Sequence, residues 1–206
     1  MGLLIQDELL SERLIAERVA NGHDRYDEVW DGVYVMSPIA DNQHQSLAST
    51  ITSVIQNCFD WRGFGLTLAG ANVSDRQTGW AKNYRVPDVL SFAKDTSAVD
   101  CGTHWFGGPD LAIEIVSRGD RTLEKLGFYA DVKTSELLVI DRDPWKLTLY
   151  RLADSGTLQP AAVCSFDQPS VIKSRVVPVR FELLFGERVL RMTDESGEVI
   201  RDAGFD

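Results

Sequence analysis

The sequence predicts a mixed α/β fold in which a central sheet is flanked by helices, preceded by an N-terminal helix and a β-hairpin. Three observations carry that expectation. Apolar runs of strand length alternate with amphipathic helical stretches, and an Asp31-Gly32 hairpin signal stands early in the chain. The length, 206 residues, fills one core well and falls short of two average domains, so one domain over 1–206 is expected.

The elements follow in order. Residues 4–20 place Leu4, Leu9, Leu10, Leu14, Ile15 and Val19 at near-helical spacing, with Asn21-Gly22 as the stop. The β-rich runs 26–30 and 33–36 flank Asp31-Gly32, which reads as the turn itself. Asp41 or Asn42 caps a long helix whose apolar face is Leu47, Ile51, Val54, Ile55, Cys58 and Trp61, ending at Gly63. Residues 64–75 and 86–92 read as strands on either side of a polar loop, and a glycine-containing connection leads to a strand over 110–117. Asp120 then caps a helix to about Val132, and strands follow at 136–140 and 146–150. That strand, helix, strand order is a crossover unit. The core is expected over about 5–152, with additional strands over 153–192, including a piece from Val176 to Leu184 that Pro178 marks as an edge, and a frayed tail over 193–206.

Composition narrows the function classes. No apolar run approaches the roughly twenty residues needed to span a bilayer, so no membrane partner is expected. The first twenty residues carry acids among their apolar positions and do not resemble a signal peptide. Cys58, Cys101 and Cys164 are odd in number and widely spaced, which argues against a disulfide framework or a structural zinc site; they read as packing residues in a cytoplasmic, reducing setting. Formal charge is 21 − 31 = −10, which opposes tight binding to nucleic acid unless basic residues cluster in space. A nuclease is not excluded, because a bound metal offsets active-site acid and Arg13, Arg18, Arg25, Arg62, Arg76, Lys82, Arg85 and Lys94 can converge.

Two carboxylates stand where apolar strands should not hold them: Asp88 in Val86-Pro87-Asp88-Val89-Leu90, and Glu114 in Leu111-Ala112-Ile113-Glu114-Ile115-Val116. A lone buried carboxylate costs several kcal/mol unless a cation or hydrogen bonds compensate it. Alternation puts Ala112, Glu114 and Val116 on one face of their strand, and Val86, Asp88 and Leu90 on one face of theirs. Pairing of the two strands sets the acids side by side. Together with the Ile115 carbonyl they form an oxygen site suited to magnesium or manganese. Lys125, one turn before Tyr129 on the same helix face, can extend an ammonium over the acids, position a water and stabilise charge on a phosphoryl oxygen. Glu28 shares a strand face with Tyr26 and Trp30 and can be a third acid near the metal; His44 falls on the inward face of its helix and can support the site.

These residues carry a resemblance. Val86-Pro87-Asp88, Glu114-Ile115-Val116-Ser117 and Glu124-Lys125-Leu126-Gly127-Phe128-Tyr129, with the opening stretch 26–38 and His44, resemble the PD-(D/E)XK nuclease superfamily and, within it, the Uma family of restriction-endonuclease-like proteins, over about residues 5–152. The resemblance implies a restriction-endonuclease-like fold, magnesium dependence and hydrolysis of DNA phosphodiesters, with the family's acids carried onto Asp88 and Glu114. The superfamily lysine stands two positions after the glutamate, where this chain has Val116; the resemblance moves that role to Lys125. Ser117-Arg118-Gly119 departs from the Ser-Pro-Ser of relatives, and the loop before Lys125 is shorter than in many of them.

The expected function is therefore a metal-dependent endonuclease. Two rival expectations stand beside it: a non-catalytic interaction or regulatory module that keeps the fold, and a metal-dependent hydrolase of another phosphate ester. A homodimer is expected by analogy with double-strand cutters, with Trp30, Trp105 and Phe106 as candidate contacts. For Asp88 and Glu114 the structural alternative is a pair of strand-end carboxylates satisfied by hydrogen bonds or by arginines such as Arg85 or Arg118. Asp120 is read as a helix cap.

Overall fold

A computed structural model describes residues 8–37, 40–117 and 121–204. The central sheet has six strands: β3 (Gly65–Ala69), β6 (Val89–Ala93), β9 (Leu111–Ile115), β10 (Glu136–Arg142), β11 (Trp145–Leu152) and β12 (Leu158–Ser165). Their spatial order is β12-β11-β10-β9-β6-β3. Only β9 and β10 run parallel, and the chain between them supplies the crossover: a 3-10 turn (Thr122–Lys125) continuous with a short α3 (Leu126–Asp131). All other pairs in this sheet are antiparallel.

A second sheet, of short strands, runs β2-β1-β5-β4-β8-β7. It comprises β1 (Glu28–Trp30), β2 (Val33–Val35), β4 (Val73–Ser74), β5 (Tyr84–Arg85), β7 (Val99–Asp100) and β8 (Trp105–Phe106). The hairpin β1–β2 turns through Asp31 at φ 49° and Gly32 at φ 88°, the paired left-handed conformation of a type I′ turn. A third sheet, β13 (Ile172–Lys173), β14 (Arg180–Leu184), β15 (Val189–Thr193) and β16 (Val199–Gly204), is an antiparallel meander. Two helices precede the central strands: α1 (Glu8–Ala20) and α2 (Asn42–Ile55), the latter capped by the Asp41 side chain, which accepts from the His44 amide.

Alternation in the central strands builds two cores, one on each face. Leu111, Ile113 and Ile115 of β9 pack with Leu47, Ile51, Val54 and Ile55 of α2 and with Phe181, Leu183, Leu190 and Met192 of the third sheet. Ala112 of the same strand packs instead with Leu90, Phe92, Phe128, Tyr129, Leu137 and Val139. Close approach at the sheet edge requires Gly65: a Cβ there would lie 2.1 Å from the Phe92 carbonyl and 2.3 Å from the Phe59 ring.

Several expectations are corrected. The strand expected over 64–75 is broken at Gly70, φ 63°, and its halves join different sheets. Helix α2 ends at Ile55 and passes into a π-helical turn over Gln56–Asp60, which rotates Trp61 off the apolar face and leaves it 76% exposed. The tail expected to fray is the strand β16, paired with β15 and contributing Ile200 and Ala203 to the first core. Residues Val176 to Val179 precede β14 rather than forming part of it, so Pro178 marks a strand entry, and β14 is an inner strand of its sheet. Cys58 and Cys164 are buried as packing residues, whereas Cys101 is exposed. The Asp120 cap and the Arg118 alternative fall outside the described residues, as does the start of the N-terminal helix before Glu8.

Candidate active site

The antiparallel register of β6 and β9, Val89 opposite Ile113, places Asp88 at the mouth of its strand beside Ile115. Its Oδ2 accepts the Ile115 amide at 2.7 Å, a ladder position filled by a side chain. Asp88 is thus half-buried just before β6, not inside a strand as expected. Glu114 is 3% exposed and projects onto the opposite face from Ile113 and Ile115, as alternation requires.

The crossover then delivers Lys125 and Tyr129 to Glu114. Lys125 Nζ donates to both Glu114 oxygens, at 3.0 and 3.1 Å, and Tyr129 Oη donates at 2.5 Å. Lys125 thus reaches the acids. Val116, two positions after Glu114, packs its side chain against the core beneath this face.

Glu28 completes the cluster from β1. Its Oε1 accepts from Lys125 Nζ at 2.9 Å and from the Val86 amide at 2.9 Å, and its Oε2 accepts from Trp30 Nε1 at 2.6 Å. Two buried carboxylates therefore share one ammonium. Trp30 is itself clamped: the Arg85 guanidinium lies 4.7 Å and that of Arg121 4.9 Å from its ring, and Arg85 also sits 4.2 Å from the Phe128 ring. His44 enters from the first turn of α2, with Nε2 3.0 Å from the Ile115 carbonyl and 3.3 Å from Asp88 Oδ2.

These surroundings shift the titrations. Burial, reinforced by the Asp88 and Glu28 charges and opposed by Lys125, pushes the Glu114 carboxyl up to about 8. Burial lowers His44, but the Asp88 carboxylate outweighs it and the net shift is upward. Tyr129 is raised by burial and by the Glu114 charge. Arg85 is lowered by burial.

All six residues singled out in the sequence, Glu28, His44, Asp88, Glu114, Ile115 and Lys125, line one cleft of about 340 Å³. Arg25 and Arg121 line it as well; of the eight basic residues considered for convergence, only Arg25 does. Arg18 and Arg76 are instead tied to Asp27 and Asp75, and Arg85 bonds to Asn83 and to the Val29 and Tyr84 carbonyls rather than to the acids. Sequence reading assigned no site role to Trp30, Tyr129 and Arg121. Tyr129 was detectable from its spacing to Lys125; the Trp30 clamp joins residues from distant segments and had no local signal. The three aromatic residues read as exposed dimer contacts are half-buried: Trp30 lies beside two guanidiniums, Trp105 stacks on Phe92 at 3.7 Å, and Phe106 is its neighbour in β8.

A mixed sheet with a cleft floored by two glutamates, an aspartate and a lysine defines an enzyme-like α/β domain of restriction-endonuclease-like architecture. The comparisons then place it. The Uma2 family, described as "Putative restriction endonuclease", matches residues 12–186, and the chain belongs to that family. The match extends past Leu152, so the strands β12 to β14 are part of the family's unit rather than an appendage. No curated protein matches the chain. A crystal structure of a putative nuclease belonging to DUF820 from Anabaena variabilis ATCC 29413 superposes with a TM-score of 0.57 at 18% identity, covering 72% of this chain and 80% of that one. At that identity the likeness speaks for the fold.

Proposed function

We propose that this protein is a metal-dependent nuclease that hydrolyses phosphodiester bonds in DNA. The observation that carries the reading is Lys125 held between Glu28 and Glu114, with Asp88 alongside, in one cleft.

The donor set is compatible with a hard divalent cation. Glu28 and Glu114 share one ammonium, Asp88 adds a third carboxylate to the cleft, and Glu114 is raised by burial and then by the Asp88 and Glu28 charges, which a cation would relieve. Among the described residues no three His, Cys, Asp or Glu side chains close around a metal position by themselves. Magnesium suits such a site, because it keeps several waters and takes one or two carboxylates plus phosphate oxygens. Asp88, Glu114 and the Ile115 carbonyl are the residues that would hold it. Bound there, magnesium or manganese supplies Lewis-acid charge and a water acidified toward neutrality.

The chain's own groups do the remaining work. Lys125 holds the attacking water and offers positive charge to the phosphoryl oxygens. Glu28 anchors that ammonium, and Trp30 and the Val86 amide anchor Glu28. Tyr129 fixes the rotamer of Glu114, and His44 ties the Ile115 carbonyl and Asp88 to α2.

Incubation of the purified protein with supercoiled plasmid and with a single-stranded oligonucleotide, in magnesium or manganese, tests the reading: cleavage of at least one is expected, and its loss in Lys125→Ala. Activity equal in that variant removes the lysine from the mechanism, and cleavage of neither DNA by the unaltered protein with either metal removes the reading. The −10 charge favours one rival, a non-catalytic module on the same fold. Calorimetry showing no magnesium or manganese binding, and no difference in Asp88→Asn, would select it.

A further inference from the structure

We propose that the strand this cleft accepts is unpaired: single-stranded DNA is the preferred substrate, entering one nucleotide at a time, and duplex is not. The chemistry rests on the nuclease reading above, while the preference rests on the cleft's depth, walls and charge.

Depth comes first. Glu28 and Glu114 are each 3% exposed and Lys125 is 7% exposed, so the reacting groups form a floor rather than a surface. The space above them is about 340 Å³, near the lower end of the roughly 300–1,000 Å³ of pockets that take one small ligand. Duplex DNA keeps its bases paired and stacked, so placing a nucleotide in a recess of that size first costs a few kcal/mol of unpairing and unstacking. An unpaired strand rotates freely about its backbone and can insert one nucleotide, the solution reached by enzymes that take a base out of the helix.

The walls suit that occupant. Tyr26, Val35 and Met36 provide apolar and aromatic surface on one side, next to Arg25, whose guanidinium lies 5.4 Å from the Tyr26 ring centre. Apolar surface for a base beside a guanidinium for its phosphate is the pairing that single-strand binders use.

Charge outside the cleft points the same way. Duplex affinity is built largely from rows of lysines and arginines that displace counterions. Here the guanidiniums of Arg18, Arg76, Arg142, Arg151 and Arg191 each lie within 2.5 to 2.9 Å of a carboxylate, and the whole chain carries −10. With a net charge of −10 the exterior opposes either form of DNA, so attraction has to come from surface inside the cleft that an unstacked nucleotide can cover.

Fluorescence anisotropy with one labelled oligonucleotide, alone and annealed to its complement, in calcium so that the strand stays intact, tests the preference. The single strand should bind at least about tenfold tighter than the duplex; duplex binding of equal or greater strength overturns the inference. Arg25→Ala, an exposed position at the cleft wall, should weaken single-strand binding and reduce its salt slope by about 0.7, the value for one lost phosphate contact on a single strand. An unchanged affinity and slope in that variant also overturn it, because the strand is then not entering past Arg25. Exchange of calcium for manganese separates the two readings. A single strand bound in preference but left intact removes the nuclease reading and keeps the cleft's preference; duplex and single strand cut at equal rates do the reverse.

Discussion

Two glutamates on neighbouring strands of the same sheet meet opposite fates. Glu114 of β9 and Glu136 of β10 are both almost fully buried, at 3% and 2% exposure. Glu136 is surrounded by donors: Arg151 Nε at 2.7 Å, Ser174 Oγ at 2.7 Å and the Arg175 amide at 3.1 Å. Those partners tie the third sheet's leading segment to the central one. Glu114 shares its one ammonium with Glu28, lies near Asp88 and opens onto the cleft. Both carboxylates have their oxygens filled by donors, but a carboxylate matched by its own arginine is a staple. One that must share its ammonium with a second acid at a cavity is poised for an external cation or proton.

The largest effect should come from removing the shared ammonium. Lys125→Ala is expected to lower the rate of DNA cleavage by about 10²–10⁴-fold, the range for a positioned group acting in the transition state. Thermal denaturation of the same variant separates loss of chemistry from loss of fold. Glu136→Ala should do the opposite. Breaking a buried ion pair costs about 3–5 kcal/mol, so its denaturant midpoint should fall sharply while activity per folded molecule stays unchanged. A midpoint like that of the unaltered protein would dissolve the contrast between the two glutamates.

Trp30→Phe is a finer probe. The ring can keep its place between Arg85 and Arg121 but loses the donor to Glu28 Oε2, so the Glu28–Lys125 arm is less firmly held. Turnover should drop by up to roughly 100-fold, since small misplacements at a reacting centre are costly, with little change in melting temperature. An unaltered rate would show that Lys125 is positioned without help from Trp30.

The smallest effect concerns Asp41, which caps α2 and pairs with Arg142. Its hydrogen bonds from Arg142 and then from the His44 amide hold the carboxyl at about 2, below its ordinary 3.8. A folded-state value below the unfolded one means the contribution is complete above pH 3.8 and disappears as pH falls through about 2. Asp41→Ala should cost about 0.5–2 kcal/mol at neutral pH, the usual worth of a cap. Asp41→Asn should keep part of the cap and flatten the stability profile in that acid window, as read by circular dichroism.

Local pattern explains why so much of the site was readable. Asp88 and Glu114 interrupt apolar runs, and Lys125 and Tyr129 share a helical face, so each signal lies within a few residues. The hairpin was equally local, because Asp31-Gly32 accepts positive φ at both central positions of the turn. Glu136, following Lys133-Thr134-Ser135 at the start of its strand, carries no such signal, although it is buried as deeply as Glu114. Trp61 satisfied the helical period until the π-helical turn shifted its phase.

The sequence by itself determined the hairpin, the long helix, the strands that carry the acids, the two-faced alternation of β9, the acid, acid, lysine order and the family resemblance, because periodicity, turn chemistry and motif spacing are short-range properties. The tertiary structure decided that Glu28 joins Glu114 on one lysine across 97 residues, that Arg85 and Arg121 clamp Trp30, and that Glu136 is a staple instead of a site. Those outcomes depend on which distant groups share a buried volume, where desolvation makes every unmatched charge count, and no local pattern encodes that neighbourhood.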